Sequence, residues 1–269
     1  MSSFIPRLLT ASCVVVMMSC AALAQDKPYE PAVGQAGKDV VWVPTAQGLV
    51  DRMLDMAKVT PQDYVIDLGS GDGRTVITAA KRGAKTMGIE YNPDMVALSK
   101  KNAAAAGVGE KAVFVQGDIF ASDFSRATVI TMFLLPDLNL RLRPILLDMK
   151  PGTRVVSNSF DMAEWKPDQE VSAQGQCETW CRAMLWIIPA KVDGNWKMGR
   201  GEIRLVQNFQ NIAGTFVGPS GSGTPISDGK MNGAEISFKA GERTYKGKVN
   251  GNMMEGTISD GGTWQARRI

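Results

Sequence analysis

The stretch Asp67-Leu68-Gly69-Ser70-Gly71-Asp72-Gly73-Arg74 most restricts what this chain can fold into. The apolar run Tyr64-Val65-Ile66 leads into it, and residues 74–82 read as a helix behind it. Strand, glycine-rich turn and helix make up the βα junction at which α/β proteins hold nucleotide-like ligands. Without a Cβ, the glycines let backbone N–H groups approach such a ligand. The helix start adds free donors and partial positive charge. An ordinary tight turn is the plain alternative.

Spacing separates two nucleotide-binding patterns. The dinucleotide pattern G-x-G-x-x-G needs a glycine at position 74, where this chain has Arg74. Glycines at 69, 71 and 73 instead make D-x-G-x-G-x-G. Glu90 lies 21 residues after Gly69, at the end of Thr86-Met87-Gly88-Ile89. An acid about 20 residues on, at the tip of the second strand, can accept both ribose hydroxyls; a surface carboxylate flanking a helix is the alternative. Tyr91 stands beside Glu90. Asn92 caps the next helix, with Pro93 in its first position and Gly107 at its end. A third strand over 112–116 leads to Gly117-Asp118-Ile119, and a fourth over 127–132 leads to Phe133-Leu134-Leu135-Pro136. A helix over 138–149, interrupted near Pro144, and a fifth strand over 154–157 complete the alternation. The fold class is therefore α/β, a doubly wound and mostly parallel sheet with its ligand site at the strands' carboxyl ends.

Four segments follow from these signals. Residues 1–24 form a cleaved secretory signal peptide: Arg7 is the positive start, 8–18 the apolar centre and Ala22-Leu23-Ala24 the cleavage site. Processing as a lipoprotein at Cys20 is the alternative, and once the peptide is cleaved no segment is expected to stay in a membrane. Residues 25–39, with Pro28, Pro31, Gly34 and Gly37, read as a flexible leader. Residues 40–193 make the α/β domain, in which a helix over 46–59, capped by Thr45, packs beside the first strand near the ligand. From 194 to 269 helical periodicity disappears. Ile203, Leu205, Gln207 and Phe209 alternate, as do Ala234, Ile236 and Phe238. Glycines recur at 214, 233, 247 and 256, so short strands joined by tight turns predict an antiparallel meander or small barrel.

Composition excludes several chemistries. The chain has no histidine, which rules out a His-based triad, a His general base and a His-ligated metal. Cleavage after Ala24 removes Arg7 and no acid, leaving 29 basic against 27 acidic residues, a net charge of +2. That balance gives no reason to expect nucleic acid as a partner. Cleavage also takes Cys13 and Cys20, leaving Cys177 and Cys181. Two thiolates make a poor zinc site, and no metal is expected. A disulfide is the better use in an oxidising compartment. It requires Glu178-Thr179-Trp180 to turn, because cysteines four apart on a strand stand about 13 Å apart and a disulfide needs Cα atoms within about 7 Å.

Residues of about 40–190 resemble class I S-adenosylmethionine (SAM)-dependent methyltransferases. Within that class they resemble the lysine methyltransferases of the mitochondrial adenine nucleotide translocase and ATP synthase c subunit, with their bacterial relatives. The matching residues are Val43-Pro44, the stretch from Asp67 to Arg74, Glu90 with Asn92-Pro93, Phe133-Leu134-Leu135-Pro136, and Arg154-Val155-Val156-Ser157 followed by Phe160 and Trp165. The resemblance implies SAM as cofactor and a protein lysine as acceptor. It assigns cofactor contacts to Asp67, Gly69, Ser70, Gly71, Gly73, Glu90, Asn92, Gly117, Asp118 and Ile119, with Asp118 on the adenine amino group. Phe133, Leu134, Pro136 and Tyr91 become candidates for the acceptor channel. Methyltransferases of planar nitrogens carry Asn/Asp-Pro-Pro-aromatic after the fourth strand. This chain offers no polar side chain there, which suits an aliphatic amine. No general base stands out. Two other classes stay open: an exported SAM- or nucleoside-binding module without turnover, and a nicotinamide-dependent oxidoreductase.

Overall fold

A computed structural model describes residue 1, residues 29–173, residue 175 and residues 177–269. The signal peptide (Met1 apart) and residues 25–28 of the leader lie outside the described residues. In chain order the elements are α1 (Gln47–Met56), β1 (Tyr64–Leu68), α2 (Arg74–Lys81), β2 (Lys85–Glu90), α3 (Pro93–Ala105), β3 (Ala112–Gln116), β4 (Val129–Met132), α4 (Pro136–Leu147), β5 (Arg154–Asn158), β6 (Gln169–Ser172) and β7 (Arg182–Ile187). Then come β8 (Gly194–Met198), β9 (Gly201–Asn208), β10 (Asn211–Val217), β11 (Gly223–Asn232), β12 (Glu235–Ala240), β13 (Arg243–Asn250), β14 (Met253–Ile258) and β15 (Thr263–Arg268).

The first seven strands form one sheet in the order β3-β2-β1-β4-β5-β7-β6. β1 to β5 run parallel, and β7 pairs antiparallel with both β5 and β6. Alternate residues of the central strands supply two cores. Ile66, Ile130, Val155 and Trp186 pack with Leu138, Leu142 and Leu146 of α4. Val65, Val129, Val156 and Leu185 pack on the other face with Leu49, Val50, Met53 and Leu54 of α1. A strand covered on both faces reads as a continuous apolar run, which is why Tyr64 to Leu68 shows little alternation.

Three local readings need correction. α4 starts at Pro136 and continues through Pro144 without interruption. Thr45 does not cap α1: Ala46 is the cap residue with no side-chain bond, and Thr45 Oγ1 instead accepts from Asn158 Nδ2 at 3.2 Å. The segment from Pro31 to Asp39 is not a loose leader. Gly34 N donates to Trp42 O and Trp42 N to Gln35 O, at 2.8 and 2.9 Å, so the chain folds back on itself and reaches the cleft described below.

β8 to β15 close into an antiparallel barrel in which each strand pairs with the next and β15 returns to β8 through Arg268↔Trp196. Side chains fill it. Phe238 and Tyr245 stack at 4.8 Å, and Trp264 meets Phe238 edge-on at 5.7 Å. Of the recurring glycines only Gly233 lies in a turn between strands, whereas Gly214, Gly247 and Gly256 lie inside strands. A Cβ on Gly214 would stand 1.9 Å from Arg204 O, and one on Gly256 1.9 Å from Lys246 O. These glycines permit the close backbone approach of a tightly bent small barrel.

Candidate active site

The carboxyl ends of the parallel strands open onto a cavity of about 220 Å³, where sheets of this kind place their ligands. Its lining follows the strand order. Gly117, Asp118 and Ile119 come after β3; Glu90, Tyr91 and Asn92 close β2; Asp67, Gly69, Ser70 and Gly71 close β1; Phe133 and Leu134 come after β4. Gly73 and Pro136 do not line it: Gly73 precedes α2, and Pro136 opens α4. β3 and β4 stand three strand spacings apart, about 14 Å, so the cleft has two distinct ends.

The first end is built from carboxylates. Glu90 is oriented by backbone donors, Gly71 N to Oε2 and Asn92 N to Oε1, both at 2.9 Å. Each oxygen keeps a lone pair for another donor. Asn92 Oδ1 caps α3, accepting from Asp94 N at 2.8 Å. Asp118 accepts from Phe120 N at 2.9 Å and from Lys38 Nζ at 2.5 Å. The hydrogen bond from Lys38 holds this carboxyl below its usual range, though both partners are about one-third exposed and solvent screens the pair. Lys38 Nζ also lies 5.0 Å from the centre of the half-exposed Tyr91 ring. Asp67 is buried and accepts from Thr131 Oγ1 at 2.6 Å. Burial pushes its carboxyl up to about 7 against that hydrogen bond, and the charges of Glu90 and Asp72 add to the rise.

The glycine loop works differently from the sequence expectation. Gly69 N and Ser70 N both donate to Ile89 O, Gly71 N donates to Glu90, and Gly73 N donates to Ser70 O. The first three amides tie the loop to β2 and that of Gly73 closes the turn on itself, instead of facing a ligand. What the three glycines supply is shape, at φ of +80°, +53° and +84°. A Cβ on Gly71 would lie 2.7 Å from Trp42 Nε1, and one on Gly73 2.7 Å from Phe114 Cζ. Arg74 then locks the loop to the preceding segment, its guanidinium pairing with Asp72 at 2.6 Å and donating to Thr45 O at 2.9 Å.

The second end is aromatic. Phe133 stacks with Phe160 at 6.0 Å, and Trp180 meets Phe160 at 5.1 Å and Phe133 at 6.2 Å. Leu134 is buried beneath, close enough that a Cβ on Gly69 would come within 3.2 Å of it. Cys177 and Cys181 are bonded, with Cα atoms 5.8 Å apart, so the intervening residues turn as a disulfide requires. The sequence reading missed Lys38, Trp42 and Trp180 and noted Phe160 only as part of a motif. Trp180 carried one signal: it sits between the two cysteines that must turn.

A sheet of this order, with an acid at the tip of β2 and another beyond β3, is the architecture of class I SAM-dependent methyltransferases. Comparison with known proteins carries the assignment further. The ANTKMT methyltransferase domain model matches residues 67–169. A protein-lysine N-methyltransferase of Saccharolobus islandicus is 44% identical over 138 residues, 50% of this chain and 86% of that protein. The Xenopus laevis lysine N-methyltransferase named for the ATP synthase c subunit is 29% identical over 64% of this chain and 69% of its own length. A Salinibacter ruber protein, described as an RNA methyltransferase and crystallised with S-adenosyl-L-homocysteine, is 48% identical, covers 56% of this chain and 96% of its own, and superposes with a TM-score of 0.53. The chain belongs to this family of SAM-dependent methyltransferases.

Proposed function

We propose that this enzyme methylates the side-chain amine of a protein lysine. The observation that carries the reading is the contrast between the two ends of the cleft: carboxylates where a nucleoside would lie, and hydrocarbon where the acceptor must enter. Its relatives named as lysine methyltransferases support it. SAM, when bound, supplies an electrophilic methyl on a sulfonium sulfur, so the protein's task is chiefly to position a nucleophile.

The residues present fit that cofactor. The free lone pairs of Glu90 suit two ribose hydroxyls. Asp118, with Gly117 and Ile119 beside it, suits the adenine amino group once Lys38 gives way. Asp67 offers a buried carboxyl to the cationic part of the ligand, whose charge would favour its ionised form. Gly69, Ser70, Gly71, Gly73 and Asn92 shape and orient this end. At the other end Phe133 stands at the entrance, and buried Leu134 gives an apolar depth that lowers the pKa of an entering amine, which must shed its proton to act as nucleophile. Tyr91 stands at the carboxylate end, beside Lys38, and Pro136 contributes by starting α4.

A planar nitrogen of RNA is the competing acceptor, raised by the description of the Salinibacter relative. The absence of a carboxamide or carboxylate side chain in Phe133-Leu134-Leu135-Pro136, and the near-neutral charge of the chain, weigh against it. Incubation with methyl-labelled SAM and cell-envelope extract should label protein, at lysine. Label appearing in RNA and absent from protein would overturn the proposal.

We also propose export with cleavage after Ala24, supported by residues 1–24 and by the Cys177–Cys181 bond. The expected N-terminus of the mature protein is Gln25, in an envelope fraction. Intact-mass analysis finding residues 1–24 retained in the cytoplasm would refute it.

A further inference from the structure

The cleft's acceptor end contains a group of rings that the family assignment does not explain. Phe133 follows β4, Phe160 follows β5 and Trp180 precedes β7. Because β7 runs antiparallel to β5, with Asn158 opposite Ala183, the start of β7 lies at the same sheet edge as the ends of the parallel strands. Three segments distant in sequence therefore bring three aromatic rings within 5.1–6.2 Å of one another around the cavity.

Their positions are held by polar contacts. Phe160 O accepts from Ser157 Oγ at 2.7 Å and Asn139 Nδ2 at 3.1 Å. Ser159 N donates to Arg182 O at 2.7 Å, and Arg182 Nη2 returns a bond to Ser159 O, joining the Phe160 loop to the foot of the Trp180 loop. Ala173 N donates to Cys181 O at 2.8 Å, and the disulfide closes the loop around Trp180. Trp180 itself has φ +57°, a left-handed conformation that is costly for a bulky residue. It remains 46% exposed, so burial does not account for holding an indole there. Backbone strain at the mouth of a site is a pointer to use.

The chemistry of the corner selects a ligand class. The carboxylates lining the cavity, Asp39, Asp67, Asp72, Glu90 and Asp118, all come from the leader or from the β1, β2 and β3 ends. Near the three rings the lining is aromatic, and aromatic π faces attract ammonium groups, methylated ones included. We infer that Trp180, positioned by the Cys177–Cys181 bond, is the third wall of an alkylammonium-binding corner with Phe133 and Phe160 and sets the affinity for the acceptor side chain. This rests on the lysine reading for its biological ligand. The corner accepts the cation on arrival and holds the methylated product, while the apolar depth beyond it favours the neutral amine.

Calorimetric titration of the oxidised full chain with butyltrimethylammonium, a permanent cation, tests the wall without any turnover. Trp180→Ala should bind the probe about five- to tenfold more weakly, and Trp180→Phe should stay within about threefold of wild type. The double variant Cys177→Ser/Cys181→Ser should also weaken binding. A dithiol reductant should weaken the wild type to the same extent and leave the double variant unchanged. S-adenosyl-L-homocysteine, titrated in parallel, should bind every variant within about twofold. The inference is overturned if Trp180→Ala binds the probe like wild type, if no variant distinguishes it, or if S-adenosyl-L-homocysteine binding falls in parallel. Failure to label lysine with methyl-labelled SAM would sink the acceptor assignment and leave this titration to decide the corner on its own.

Discussion

The two ends of the cleft are built by different means. The carboxylate end is largely local: Asp67, Glu90 and Asp118 each terminate or follow a strand, and the backbone donors that orient Glu90 and Asp118, Gly71 N, Asn92 N and Phe120 N, come from the same βα loops or the neighbouring one, while Asp67 is held across the sheet by Thr131. The aromatic end is assembled from three strand connections, with β7 reversed so that its start joins them. A carboxylate bonded to amides of its own βα loop sits at a short, fixed offset from them along the chain, whereas the three rings need only converge in space. The first kind of site leaves a spacing in the sequence and the second does not.

The largest effect expected at the carboxylate end comes from Asp67. Its carboxyl is raised from 3.8 to about 7 by burial, so the stability it permits is fully present below about pH 4 and is lost as pH rises through about 7. The loss by pH 8 is on the order of 4 kcal/mol at 1.36 kcal/mol per unit. Asp67→Asn, which cannot ionise, should flatten that fall. Urea midpoints at pH 4.5 and pH 8 measure it, and an equal drop in wild type and variant would remove Asp67 as the cause. The same group predicts that SAM binding near pH 6.5 releases protons, since a cationic ligand favours the carboxylate; titrations in buffers of different ionisation enthalpy would show it.

Glu90→Ala should cost SAM binding on the order of 1.5–3 kcal/mol, by removing paired hydrogen bonds to a charged acceptor. It should leave the affinity for butyltrimethylammonium unchanged. A parallel loss of both ligands would mean that the two ends are not separable. At the aromatic end, opening the disulfide removes a short loop closure worth roughly 2 kcal/mol in the chain-entropy model. Cys177→Ser/Cys181→Ser should therefore melt lower, with no further change on adding reductant. Two reactive thiols per unfolded, unreduced mature chain, which lacks Cys13 and Cys20, would show that no bridge exists.

The smallest effect concerns Lys38. It lies on the surface, and its bond to Asp118 is screened. Lys38→Ala should change SAM affinity by less than about fivefold, and upward, because Asp118 no longer has to exchange a partner. A large loss would instead make Lys38 a contact to the cofactor.

The sequence alone determined the doubly wound sheet, the positions of Gly69, Gly71 and Gly73, the acids at 67, 90 and 118, the helix capped by Asn92, and the change to an all-β region near residue 194. Each of these is written in local chemistry: a φ only glycine adopts easily, an offset of about 20 residues across one βα unit, a side chain that bonds its own helix start, a periodicity of two. Tertiary structure decided the rest. It put Lys38 against Asp118, although 80 residues separate them. It turned Gly214, Gly247 and Gly256 from apparent turns into close contacts inside strands, and closed the barrel by pairing its last strand with its first. It engaged the amides of Gly69, Ser70 and Gly71 with β2, and it gathered Phe133, Phe160 and Trp180 at one rim. Those outcomes depend on which strand edges meet and which loops share a rim. Such distances are fixed by packing across the whole sheet and have no period along the chain.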